Sequence, residues 1–211
     1  MSKLSKASRE KAVGLLLKEY PRAECALNYD SNFHLLVAVV LSAQTTDIAV
    51  NKVTPALFAK AKDAASMAKM KPEKLEQYIH SIGLYKNKAK NIIALSKALV
   101  ERFDGEVPND FDALVSLPGV GRKTANVVLA ECFKVPSIAV DTHVFRLANR
   151  IGFVEAGNVL DTEKDLMKVL PRDLWIKMHH ALIWHGRKVC MARNPGCESC
   201  CLNGLCKKNG L

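Results

Sequence analysis

Five of the seven cysteines in this 211-residue chain fall in its last 22 residues. Four of them, Cys190, Cys197, Cys200 and Cys206, follow the spacing C-x6-C-x2-C-x5-C. Thiolates this close in sequence imply a metal centre, either zinc or an iron–sulfur cluster. Zinc sites more often consist of two tight C-x2-C pairs, so the spacing alone does not choose firmly. A disulfide framework belongs to small secreted proteins, and nothing in the sequence indicates secretion. Cys201 is a competing ligand beside Cys200, but Cys200 keeps the x2 and x5 intervals intact. Cys25 and Cys132 are expected in the core.

A second constellation is Leu117-Pro118-Gly119-Val120-Gly121-Arg122-Lys123, two glycines just ahead of a helix. Both glycines permit positive φ and close approach of a ligand to the backbone. The free amides of the next helix then suit a phosphate oxygen. The segment lacks the Gly-Lys-Ser/Thr end of a nucleotide-binding loop and follows a helix rather than a strand, so a DNA backbone phosphate fits better.

Lys123 falls in the first turn of that otherwise apolar helix. Its plain reading is a solvated cation touching DNA; its chemical reading is an amine nucleophile. A lysine of ordinary pKa is neutral in only about 4 molecules per 10,000 at pH 7, so a nucleophile needs that fraction raised. The helix terminus supplies less than about one pKa unit, leaving Arg122 and burial under bound DNA to supply the rest. Asp141, just before Thr142-His143-Val144-Phe145, is placed to be an N-cap. An ionised carboxylate held there would also favour positive charge developing on a nearby sugar.

These residues need a scaffold, and the scaffold signals are helical. Residues 33–41 are apolar all round and predict a central buried helix. Pro72-Glu73 opens a helix through Ile79, and residues 85–102 place Ala89, Ile92, Ile93, Leu95, Ser96, Leu99 and Val100 at helical spacing. Asn109-Asp110 caps a short helix ending at Leu117, which Pro118-Gly119 breaks. Further helices fit residues 122–132, 142–151, 161–170 and 172–185, and the first twenty residues read as an amphipathic helix. Alternating strand patterns are almost missing, so the expected fold is all-α. Residues 82–89 and 118–125 form a faint repeat: glycine turn, basic residue, alanine, apolar helix. Trp175 and Trp184 are expected in the core, and His179, His180 and His185 in structural roles.

Composition narrows the partner. Lysine and arginine number 31 against 21 acidic residues, a formal charge of +10, and 49% of residues are apolar. A packed core is within reach and wholesale disorder is excluded. The most apolar stretch, residues 33–43, is too short to span a bilayer. A soluble, cytoplasmic monomer whose partner is a polyanion is expected, and nucleic acid fits the spread of cations better than a membrane. The cysteine tail adds Arg187, Lys188, Arg193, Lys207 and Lys208 against Glu198, suited to phosphates.

Residues 117–128 and Ile138-Ala139-Val140-Asp141-Thr142-His143, with Leu41-Ser42-Ala43-Gln44-Thr45 and the cysteine tail, resemble the endonuclease III family of DNA glycosylases. The resemblance covers residues 20–206. It implies two helical lobes flanking a DNA-binding cleft: a continuous one, residues 25–135, with the helix-hairpin-helix at about 108–132, and a discontinuous one, residues 1–24 and 136–211. It implies that Cys190, Cys197, Cys200 and Cys206 hold a [4Fe–4S] cluster in the loop 190–206. Lys123 and Asp141 would be catalytic. Gly119, Val120, Gly121, Arg122 and Arg193 would hold DNA, Gln44 would fill the gap left by a flipped nucleotide, and Leu84 would wedge into the stack. The expected activity is excision of oxidised pyrimidines from double-stranded DNA, with lyase cleavage at abasic sites. The alternatives are a monofunctional glycosylase for another base, against which Lys123 argues, and a non-catalytic DNA-binding or electron-carrying module.

Overall fold

The structure, a computed structural model, describes residues 2–211. Among the described residues there are helices and no strand. The chain divides into two compact units, Ala26–Val135 and Met1–Cys25 with Pro136–Leu211.

The continuous unit is built around α2 (Asn32–Leu41), preceded in the chain by α1 (Lys6–Glu19) of the other unit. Every side chain from Phe33 to Leu41 is buried, so α2 has no solvent face, as its uniformly apolar sequence requires. Around it lie α3 (Asp47–Lys60), α4 (Ala64–Ala68), α5 (Pro72–Ile79), α6 (Tyr85–Phe103), α7 (Phe111–Val115) and α8 (Arg122–Phe133). α2 packs on α3, α6 and α8, while α6 packs on α4 and α5. α3 and α4 have no counterpart among the helices expected from sequence. Val100, expected on the buried stripe of α6, is 41% exposed, because Ala89, Ile92, Leu95 and Leu99 already complete that stripe.

The discontinuous unit joins α1 to α9 (Thr142–Ile151), α10 (Val159–Val169), a 3-10 turn (Arg172–Leu174) and α11 (Trp175–Lys188). Leu16, Val144, Leu147, Phe153, Leu166, Met178 and Leu182 share its core. Two placements differ from expectation. Trp175 and Trp184 are only half-buried, because each indole N–H reaches a backbone carbonyl, Leu170 O at 3.1 Å and Glu24 O at 3.2 Å. Cys25 and Cys132 are likewise half-buried rather than core.

Most helices start behind a polar side chain that accepts a backbone N–H: Ser5, Ser31, Thr46, Asp63, Asp110, Asp141 and Asn158. α6 and α8 do not. Their N-cap positions are Leu84 and Gly121, and no side chain caps either helix.

Candidate active site and metal centre

The turn from α7 into α8 is held from below by two buried apolar residues, Leu117 and Val120, and closed by Val120 N–H donating to Leu117 O at 3.1 Å. Gly119 has φ +77°, and a Cβ there would lie 2.9 Å from Cβ of Asn91 on α6. Glycine is therefore required twice over at this position. Gly121 differs from the sequence expectation: it is extended, φ −97°, because it serves as the N-cap of α8. A Cβ at Gly121 would meet nothing within 4 Å, so its face opens away from the protein. No side chain caps the first turn of α8, and residues 121–123 are exposed, so the positive end of the helix is placed to favour an anion. Arg122 lies over the Phe111 ring at 4.9 Å, while Lys123 is exposed at the second position of α8.

The faint repeat does not share one turn geometry. In the first hairpin the left-handed residue is Leu84 (φ +59°), one position later than Gly119 in the second. Leu84 is 56% exposed at its tip. Gln44, also exposed, is left-handed too (φ +53°). For residues with a Cβ, each such conformation costs on the order of 1–2 kcal/mol and persists only where the surroundings enforce it. The two turns are neighbours: Gln44 O lies 4.0 Å from the place of a Cβ on Gly83. Beneath them Lys88, 5% exposed, donates from Nζ to Thr45 Oγ1 at 2.6 Å. Burial holds Lys88 below the ordinary lysine range. Sequence reading passed over Lys88, which stands in the basic run Lys86-Asn87-Lys88-Ala89-Lys90.

In the discontinuous unit, Asp141 caps α9, its Oδ1 accepting from Val144 N–H at 2.8 Å. The cap fixes the carboxylate at the helix's leading edge. Beside it the half-buried His143 is held below the usual imidazole pKa by desolvation, with the Asp141 charge opposing that shift. α11 approaches closely here: a Cβ on Gly186 would lie 2.9 Å from His143 Nδ1. The far half of α9 grips the cysteine loop. Arg146 donates to Gly186 O and Cys190 O at 3.1 and 2.9 Å, and Arg150 to Met191 O and Ala192 O at 2.8 and 3.3 Å. Arg193 is exposed on that loop.

Cys190, Cys197, Cys200 and Cys206 all line one small cavity. Cys201 does not line it; its electrostatic neighbours are Cys200 and Glu19. Several donors reach these sulfurs: Arg150 Nη1 to Cys190 at 3.5 Å, Leu202 N–H to Cys200 and Lys208 N–H to Cys206, both at 3.4 Å. His185, 1% exposed, lies with Nε2 at 3.4 Å from Cys200 Sγ and Nδ1 at 3.0 Å from Tyr20 Oη. Burial pushes His185 down to about 4, so the ring is neutral at pH 7. Burial also pushes the Cys200 and Cys206 thiols up, and a metal, when bound, would hold them as thiolates. A four-thiolate set with N–H donors aimed at sulfur fits such a centre. Cys200→Ser is expected to lose most of the metal bound per chain, and Cys201→Ser to keep it. Metal analysis of the two purified variants checks this, and the reverse order would transfer the ligand role to Cys201.

Residues 119–121 form the turn and Arg122 and Lys123 open α8 directly after it, and the Gln44 and Leu84 turns are adjacent within the same unit, whereas Asp141 belongs to the other unit. No helix among the described residues is long and apolar enough to cross a membrane.

Residues 37–172 match the HhH-GPD superfamily of base excision DNA repair proteins. Endonuclease III of Escherichia coli K12 is 48% identical over 204 residues, covering 97% of both chains. That of Bacillus subtilis 168 is 52% identical over 190 residues, covering 90% of this chain and 87% of its own. A solved structure described as a trapped endonuclease III–DNA covalent intermediate, an estranged-adenine complex, superposes with a TM-score of 0.93 at 48% identity, covering 97% of each chain. The chain thus belongs to the HhH-GPD superfamily and, within it, to the endonuclease III family.

Proposed function

We propose that the protein is a bifunctional DNA N-glycosylase and abasic-site lyase that removes oxidised pyrimidines from duplex DNA. The observation that carries this reading is the exposed Lys123 amine in the first turn of α8, behind a glycine turn that leaves the helix amides open to a phosphate. A covalent enzyme–DNA intermediate, as named for the relative, calls for such a nucleophile.

The turn at Gly119-Val120-Gly121 would hold a backbone phosphate through amides of the turn and of α8. Val120 contributes only backbone, since its side chain is buried. Arg122, and Arg193 on the cysteine loop, add cationic contacts. With the nucleotide turned out of the stack, Gln44 would fill the gap and Leu84 would wedge beside it. Neutral Lys123 Nζ attacks C1′, the glycosidic C–N bond breaks, and the base leaves with the bonding electrons and takes up a proton. Asp141, held at the leading edge of α9 by its capping bond, stabilises the positive charge that develops on the sugar. A proton passes from Nζ to O4′ as the C1′–O4′ bond opens, giving a protonated Schiff base between Nζ and C1′. Loss of a C2′ proton expels the 3′ phosphate by β-elimination, and water hydrolyses the Schiff base to free the lysine.

Cys190, Cys197, Cys200 and Cys206 would hold a [4Fe–4S] cluster, which when bound cross-links a loop with little apolar core of its own. The reaction needs no electron from it. On this reading the protein acts as a monomer in the cytoplasm, at the nucleoid if the cell is bacterial.

The test is a product gel with duplexes carrying thymine glycol, an abasic site or an adenine mismatch. Strand cleavage at the first two is expected. Base release without cleavage would assign the monofunctional class, and no turnover a binding module.

The two hairpin glycines separate folding from binding. Gly119→Ala is expected to cost about 1–2 kcal/mol of stability, because alanine must adopt φ +77° against Asn91. Gly121→Ala has an ordinary φ and open space, so its melting temperature should match wild type. Its duplex affinity should fall about tenfold, the loss of one charge-assisted hydrogen bond of about 1.5 kcal/mol. Melting curves and a binding titration on both variants check this; unchanged affinity for Gly121→Ala would remove the phosphate from the turn.

A further inference from the structure

The buried Lys88 takes no part in the chemistry above. Lysine is almost never fully buried unless paired. Lys88 is 5% exposed, yet among the described residues it forms no ion pair, and its one side-chain partner is the Thr45 hydroxyl. Something must hold an unpaired ammonium in so unfavourable a place, and its surroundings indicate what it does.

Lys88 touches both left-handed turns. Its backbone N–H donates to Leu84 O at 3.0 Å, closing the first turn of α6 behind a left-handed leucine with no polar cap. Its Nζ reaches across to Thr45, the residue after left-handed Gln44. The two turns meet where Gly83 faces Gln44 O. Thr45 N–H itself donates to Ser42 O at 3.1 Å, so a pull on the Thr45 side chain acts on a closed turn and sets where Gln44 projects. Neither Gln44 nor Leu84 is a glycine, so neither conformation is intrinsically favoured. A strut anchored in α6 is a physical reason for both to persist in the free protein.

We infer that Lys88 is a positioning residue, which through Thr45 holds the Gln44 and Leu84 turns together in the arrangement that enters the DNA stack. This rests on the roles proposed above for Gln44 and Leu84. The strut acts before chemistry: pre-set turns replace the extruded nucleotide as it leaves, with no ordering left to do on the DNA. A misplacement on the order of 1 Å in such a constellation costs on the order of 10²-fold in rate.

The test compares substrates that do and do not require extrusion. Lys88→Met keeps the aliphatic stem and removes the ammonium; Thr45→Val replaces the hydroxyl by a methyl, and Thr45→Ser keeps the hydroxyl. Single-turnover excision of thymine glycol from duplex DNA is expected to slow by about 10–100-fold in Lys88→Met and Thr45→Val. Thr45→Ser should lie within about threefold of wild type. Lyase cleavage of a single-stranded abasic oligonucleotide, which has no stack to enter, should change by less than about twofold in all three. A 2-aminopurine opposite the lesion should show a smaller fluorescence rise on binding of the first two variants. Duplex excision at the wild-type rate in both, or an equal loss on single-stranded and duplex substrates, overturns the inference. Thr45→Val carries the same comparison should the buried substitution fail to fold. A wild-type protein inactive on every substrate would instead defeat the functional reading on which this rests.

Discussion

Lys123→Ala is expected to yield no covalent adduct when the protein is mixed with abasic duplex and borohydride, and to lose lyase activity by about 10⁴-fold or more. That loss corresponds to about 5.4 kcal/mol of transition-state stabilisation at about 1.36 kcal/mol per decade. The structure makes the experiment clean. Lys123 is exposed, forms no hydrogen bond or ion pair among the described residues, and occupies a helical position where alanine is favoured. Stability should therefore change by no more than about 0.5 kcal/mol. Lys123→Arg completes the argument, because it keeps the cation while its guanidinium stays protonated in proteins. If Lys123 were only a phosphate contact, the arginine variant would be active and the alanine variant weakened mainly in binding and salt dependence. As a nucleophile, both variants lose the adduct alike while the arginine variant still binds DNA. The readouts are the trapped band on a denaturing gel and a binding titration of each variant. An undiminished adduct with Lys123→Ala would remove the nucleophile from the mechanism.

What sequence revealed of this molecule follows the range of each physical signal. α2 was legible because a segment apolar on every side has one stable place, the interior. α9 was legible to the residue because Asp141 caps it and left-handed Gly152 ends it. α3 was passed over, since Pro55 interrupts a helix otherwise buried through Val50, Val53, Thr54 and Leu57. α4 has only five residues, too few for any period to show. The four cysteines could be singled out because ligand spacing is itself local. The choice of Cys200 over Cys201 rested only on their intervals, and packing brings the ligand atoms of His185, Cys200 and Cys201 within 4.8 Å of one another. Tertiary partners were another matter. Lys88 sits among lysines of the same run, and only packing separates the buried one from Lys86 and Lys90, which are exposed. The pairing of His185 with both Tyr20 and Cys200 joins three distant segments, and no local pattern announces it. Gly121 shows the opposite error. Two glycines in one turn suggested one shared use, whereas Gly119 supplies the left-handed bend and Gly121 an extended cap.

Asp141→Asn is expected to leave the fold intact and lower excision and lyase rates by about 10²–10³-fold. Two roles meet in this one side chain, and the substitution divides them. As N-cap of α9, Asp141 needs only an oxygen to accept from Val144 N–H at 2.8 Å, and asparagine caps as well as aspartate. As the proposed charge stabiliser it needs its negative charge, which asparagine lacks. A loss of 10²–10³-fold is the size seen when a single preorganised stabiliser of transition-state charge is removed. Asp141→Ala should lose the same activity and, in addition, about 1 kcal/mol of stability with the cap. The helix concerned carries Arg146 and Arg150, which hold the cysteine loop, so a frayed cap has a further readout in the metal bound per chain. Asp141→Asn should therefore match wild type in melting temperature and metal content while failing in rate, and Asp141→Ala should fall in melting temperature too. Were Asp141→Asn fully active, the carboxylate would be a cap and nothing more, and the positive charge on the sugar would need another partner.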